Sequence, residues 1–121
     1  MDGTMIEELI SRVFATRNAV HLAHWAAQSY AQHKILGKFY EEITESIDSI
    51  VEAHQGAFGL IDDVDPTVVN KKNIQEHIKQ EARWIEQNRN DISGGIEAVA
   101  ALIDELTSEY LSTYYKLSNL K

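Results

Sequence analysis

Cysteine is absent from the 121 residues, so no disulfide, thiolate zinc site or cysteine-ligated iron–sulfur cluster can form, and the redox compartment is left open. Proline occurs once and glycine six times. Between them run long stretches of Ala, Leu, Ile, Glu, Lys and Gln without strand-like alternation, which predicts an almost entirely helical chain. Basic residues are also scarce. Lys and Arg number 11 against 19 Asp and Glu, a formal net charge of -8. That balance argues against direct DNA binding, because phosphate neutralisation needs a surplus of Lys and Arg, and it is compatible with cation capture. No apolar run approaches the roughly twenty residues of a membrane span. The start, Met1-Asp2-Gly3-Thr4, is acidic rather than signal-like. A cytoplasmic protein with no membrane contact is expected. At 44% hydrophobic, the chain 1–121 should form one domain with a single core.

What is present is helical periodicity. Helix A should start after Thr4 as N-cap and run to about Tyr30, with Ile6, Leu9, Ile10, Val13, Phe14 and Val20 near a period of 3.6. Helix B carries Ile35, Leu36, Phe39, Tyr40, Ile43, Ile47, Ile50 and Val51, and should stop at the glycines of Gln55-Gly56-Ala57-Phe58-Gly59. The stretch from Leu60 to Thr67 has turn chemistry, with room for a short helical turn after Pro66. Helix C is predicted from about Asn70 to Asn90, a turn over Asp91 to Gly95, and helix D from Ile96 through Leu117. Short A-to-B and C-to-D breaks flank a connection of about fourteen residues, long enough to span roughly 45 Å. The expected fold is therefore all-α: a four-helix bundle, ferritin-like with a long crossover between helices B and C rather than a simple up-down-up-down bundle.

Four residues could carry metal chemistry: His21 and His33, twelve apart, and Asp48 and Glu52, one turn apart. Imidazole and carboxylate are ligands that iron, manganese and zinc share. In one continuous helix, His33 and Asp48 are separated by roughly 22 Å. A single ion cannot touch both in one chain, so either the residues are unrelated or the histidines of one subunit meet the acids of another. On helical wheels His24 points near the centre of helix A's apolar face and His21 toward its edge, while Glu41, Glu45, Asp48 and Glu52 stripe a second face of helix B. That stripe is either a solvated surface or a face that packs on a neighbouring subunit.

The spacing of His21, His33, Asp48 and Glu52, with the phrases His24-Trp25, Tyr30-Ala31-Gln32-His33 and Asp48-Ser49-Ile50-Val51-Glu52, resembles the Dps mini-ferritins of the ferritin-like superfamily. Residues 29–56 also resemble small uncharacterised phage-encoded ferritin-like proteins. The resemblance implies iron, or another divalent metal, bound between subunits of a homo-oligomer that is at least a dimer, with ferroxidase activity. An ungapped register selects His21 as first ligand; a register three residues shorter in the turn selects His24. The alternative is a non-catalytic oligomeric helical-bundle protein, of the phage-encoded kind, serving as a scaffold or binding a host protein whose identity is unknown.

Other polar residues carry structural expectations. His54 should interact with the helix dipole near the end of helix B, and His77 should lie on the surface of helix C. Arg17 and Glu81 project toward the apolar faces of helices A and C, which predicts a buried ion pair, with Glu81 as an in-bundle metal ligand its rival. Trp25 is either an aromatic beside the metal or a packing residue. Tyr110, Tyr114 and Tyr115 read as core and interface side chains.

Overall fold

A computed structural model describes residues 3–64 and 73–120. Every regular element among them is helical: α1 (Gly3–Ala26), α2 (Tyr30–Phe58), α3 (Ile74–Gln87), the short α4 (Arg89–Ser93) and α5 (Glu97–Asn119). No helix among these residues is long and apolar enough to cross a membrane.

Local chemistry sets most of the boundaries. Ser29, extended at φ −84° and ψ 131°, caps α2, its hydroxyl accepting from the Gln32 N–H at 3.3 Å. Asn73 does the same for α3, accepting from the Glu76 N–H at 3.1 Å. Helix α2 stops within the stretch 55–59 as expected: it runs through Gly56 to Phe58 and ends at Gly59, whose φ is +96° and whose N–H closes on the Gln55 carbonyl at 2.8 Å. Two expectations need correction here. Helix α1 starts at Gly3, so Thr4 lies within it and not at an N-cap. The turn expected over Asp91 to Gly95 is half helix: α4 buries Ile92 and ends at Gly94, which is left-handed at φ +62°. The predicted turn after Pro66 and the predicted start at Asn70 lie outside the described residues.

Side-chain pairs fix the directions of the helices. His24 meets His33 across the α1–α2 hairpin. Gln75 donates to Ser118 at one end of α3 and α5, and Arg89 pairs with Asp104 toward the other, so these helices run antiparallel. Arg12 reaches Glu81 while Thr16 reaches His77, which makes α1 and α3 antiparallel too. Helix α2 is thus parallel to α3.

One apolar cluster draws on all five helices, including Leu9, Val13, Phe39, Ile43, Ile50, Ile78, Ile92, Ile103 and Leu106. Each fully buried aliphatic chain contributes roughly 1.5–3 kcal/mol against exposure. Phe39 and Tyr110 pack edge to face at its centre, with ring centroids 5.0 Å apart and planes at 83°.

Candidate functional site

The α1–α2 hairpin end carries a clasp of two histidines. Their rings stack at 3.8 Å with planes 19° apart, and their hydrogen bonds cross. The Nδ1–H of His24 donates to the His33 carbonyl at 2.6 Å, and the Nδ1–H of His33 donates to the His24 carbonyl at 2.9 Å. The His24 carbonyl is among the last four of α1, which lack an intrahelical donor, so the His33 ring satisfies an orphan group there, while the His24 ring ties the end of α1 to the first turn of α2. With Nδ1 committed as donor, Nε2 is the atom on each ring left for other chemistry. Gly37 makes the stack possible: a Cβ there would sit 2.8 Å from Cε1 of His24. Tyr40 borders the clasp edge-on to His24 and stacks on His21 at 4.3 Å and 22°.

The candidate metal ligands fall into three places. His24 and His33 are together. His21 stands apart from that pair, between Tyr40 and Trp25, its ring 6.4 Å from that of His24. Asp48 and Glu52 are exposed on the far half of α2, which is unbroken from Tyr30 to Phe58, so the roughly 22 Å separation from His33 applies. Among the described residues no group of three or more His, Cys, Asp or Glu side chains could hold a metal ion within one chain.

The interior polar residues depart from expectation. Arg17 does not meet Glu81; it lies over Phe14 and reaches toward Asn18. Glu81 instead takes two hydrogen bonds from Arg12, at 3.0 and 3.3 Å, and the same guanidinium lies 4.1 Å from the centre of the Trp84 ring. The carboxylate is therefore spent on an ion pair rather than offered to a metal. His77 is buried, not on the surface, with Nε2 2.9 Å from the Thr16 hydroxyl. His54 is also buried, its Nδ1 without a hydrogen-bond partner, and desolvation lowers its pKa. Burial thus disfavours the charged form that a dipole interaction would use. Glu109 accepts from the Ser46 hydroxyl at 2.7 Å, and its pKa is raised, first by burial and further by Glu42, Glu105 and Glu45.

Sequence reasoning passed over Gly37 and Arg12, and placed Tyr40 only on the apolar face of helix B. Gly37 carried a usable signal, an isolated glycine inside a helical pattern, which costs about 1 kcal/mol against Ala and so implies a close approach.

A family model described as a family of unknown function, DUF5856, matches residues 24–117. An uncharacterised 14.6 kDa protein encoded in the mobD–ri intergenic region of Enterobacteria phage T4 is 25% identical over 113 residues, covering 93% of this chain and 87% of that protein. No solved structure matches the chain.

Proposed function

The chain belongs to the family of unknown function DUF5856, and we propose that it acts as a non-catalytic, self-associating helical-bundle protein of the kind phages encode, a single cytoplasmic domain that assembles through its α1–α2 hairpin end. One observation carries this reading: large apolar side chains stand out around a rigid base. Leu22, Trp25 and Tyr30 are 63%, 67% and 75% exposed, beside a histidine clasp held by two hydrogen bonds and a ring stack. Leu22 and Trp25 are three apart and so are neighbours on α1. Exposed aromatics on a preorganised support are the usual anchors of protein interfaces. The likeness to a phage protein supports the source class. Light scattering over a range of concentrations is the test: the mass should exceed that of one chain, and Leu22→Glu with Trp25→Ala should lower it. A stable monomer at high micromolar concentration defeats the proposal.

A ferritin-like fold with an intersubunit metal is the second reading, supported by two observations. Helix α2 runs parallel to α3, the order that a long crossover produces in ferritin-like bundles. The clasp histidines also have Nδ1 tied to backbone carbonyls, the orientation that readies Nε2 for a metal. In this reading His24 and His33, with His21 nearby, supply nitrogen, and Asp48 and Glu52 of a second copy supply oxygen to iron or another divalent metal. Anaerobic iron(II) titration followed by air or peroxide should then give an iron(III) absorbance that His33→Ala and Glu52→Ala remove. Wild-type protein that binds no iron ends this reading.

A further inference from the structure

The opposite end of the molecule has a cleft that neither proposed activity uses. It encloses about 410 Å³ between the end of α2, the segment that follows it, and α4. That volume lies within the range that small organic ligands occupy. Phe58, Ile61 and Ile92 supply apolar wall, and Phe58 lies so close over Gly94 that a Cβ there would sit 2.6 Å from its ring. His54 lines the cleft on a ring packed against Phe58 at 4.7 Å, and its buried Nδ1 has no partner. A buried polar atom left unsatisfied is uncommon and marks a place where an added partner would be favourable. The charged lining among the described residues is of one sign: Glu7, Asp62 and Asp91. The shape is braced, because the Asp62 N–H donates to Glu7 at 3.2 Å and the Ile61 N–H donates to the Gln55 side chain at 3.3 Å.

We propose that this cleft, with its Phe58–Ile61–Ile92 wall, unsatisfied His54 and rim of three carboxylates, binds a small amphipathic monocation: a compact apolar or aromatic body bearing one amine. The body displaces water from the wall while the ammonium faces Glu7, Asp62 and Asp91. An acid of the same shape meets only like charge.

Three isosteric probes separate charge from shape: 2-phenylethylamine, 2-phenylethanol and phenylacetate. Each is titrated into the full-length protein while backbone amide resonances are followed by NMR. The amine should give saturable shifts centred on Gly59, Gly94 and His54, and should bind roughly three- to tenfold more tightly than the alcohol. Phenylacetate should be weakest. In the double variant Asp62→Asn with Asp91→Asn, both exposed positions, the amine should lose its advantage and bind like the alcohol. The proposal is overturned if no probe gives saturable shifts at those residues, if phenylacetate binds as well as the amine, or if the amine keeps its full preference in the double variant.

Discussion

His24 and His33 each donate a hydrogen bond to the other's backbone carbonyl while their rings stack at 3.8 Å. The hairpin end is therefore closed by side chains as well as by its three-residue connection. The pair needs space on α2 that only a residue without a Cβ provides, so sequence, local backbone and packing meet at Gly37.

Gly37→Ala should destabilise the protein although Ala is the better helix former. The methyl would press on Cε1 of His24, a ring that its hydrogen bond to the His33 carbonyl and the stack prevent from swinging away. Overpacking of this kind costs about 1–3 kcal/mol, against a propensity gain of about 1 kcal/mol. Placed on a His24→Ala background, the same change should instead stabilise by up to ~1 kcal/mol. Chemical denaturation of the four proteins in this cycle measures the coupling, and additive effects would mean that the ring does not hold its place.

Arg12→Ala should be more damaging than Arg17→Ala. Arg12 neutralises Glu81, which is only 14% exposed, and also covers Trp84, whereas Arg17 lies over Phe14 and reaches Asn18 at the surface. Removing one partner of a well-buried pair costs 3–5 kcal/mol; for this partly exposed pair about 2 kcal/mol is expected, with under 1 kcal/mol for Arg17→Ala. Arg12→Lys should recover only part of the loss, since a lysine has neither the fork nor the flat face. Urea midpoints of the three variants decide the order.

These two cases show where sequence reasoning succeeds and where it stops. Apolar periodicity was enough to place Ile6, Phe39, Ile78 and Ile103 on buried faces, because each is decided by its own helix. The Arg12–Glu81 pair depends on how far α3 is slid along α1, and the connection before α3 leaves that height free in the sequence. His21 and His24 share much of a helix face, and the course of the turn at 27–29 decides which one meets His33. His77 was legible in principle: it lies three residues after Ile74 and four before Glu81, on the stripe that α3 buries. The glycines at 56 and 59 could each have ended α2, and backbone dihedrals, which no spacing rule supplies, select the second.

Stability should fall as pH drops below about 6.5, and His54 should account for part of that fall. Burial lowers its pKa in the folded state, so the unfolded chain takes up the proton first as the medium is acidified. The stabilising contribution is whole above the ordinary histidine value and is lost from there down through the depressed one. Thermal melts between pH 7.5 and 5 should show wild type losing more stability on acidification than His54→Leu. An unchanged slope in the variant would place the acid sensitivity elsewhere.

Glu109 has the opposite sign. Its pKa is raised by burial, with Glu42, Glu105 and Glu45 adding repulsion, so its folded form favours the proton that neutral solution removes. Its relative contribution is whole below the ordinary carboxylate value and is lost as pH rises through the raised one. Glu109→Gln keeps an acceptor for the Ser46 hydroxyl and discards the charge. The variant should melt roughly 1–3 °C higher at pH 7. Its advantage should shrink near pH 4, and a variant less stable at pH 7 would show that the charge is favourable where it sits.

Tyr110 offers the sharpest separation of packing from polarity. The side chain is fully buried and packs edge to face on Phe39, yet its hydroxyl makes no hydrogen bond of normal geometry, although Thr16 is a polar neighbour. Burial pushes its pKa up, so the phenol stays neutral and its hydroxyl gains nothing from ionisation. A buried hydroxyl without a partner costs about 1–3 kcal/mol in desolvation, and deleting it removes that cost while leaving the ring in place. Tyr110→Phe should therefore be neutral or stabilising by up to ~1 kcal/mol, whereas Tyr110→Ala should cost about 3–5 kcal/mol through the cavity it opens. Both are read from denaturation midpoints at constant m-value. A loss above ~1 kcal/mol in Tyr110→Phe would mean that the hydroxyl is bonded in solution, and Thr16→Val, made alone and with Tyr110→Phe, would then show whether Thr16 is the partner.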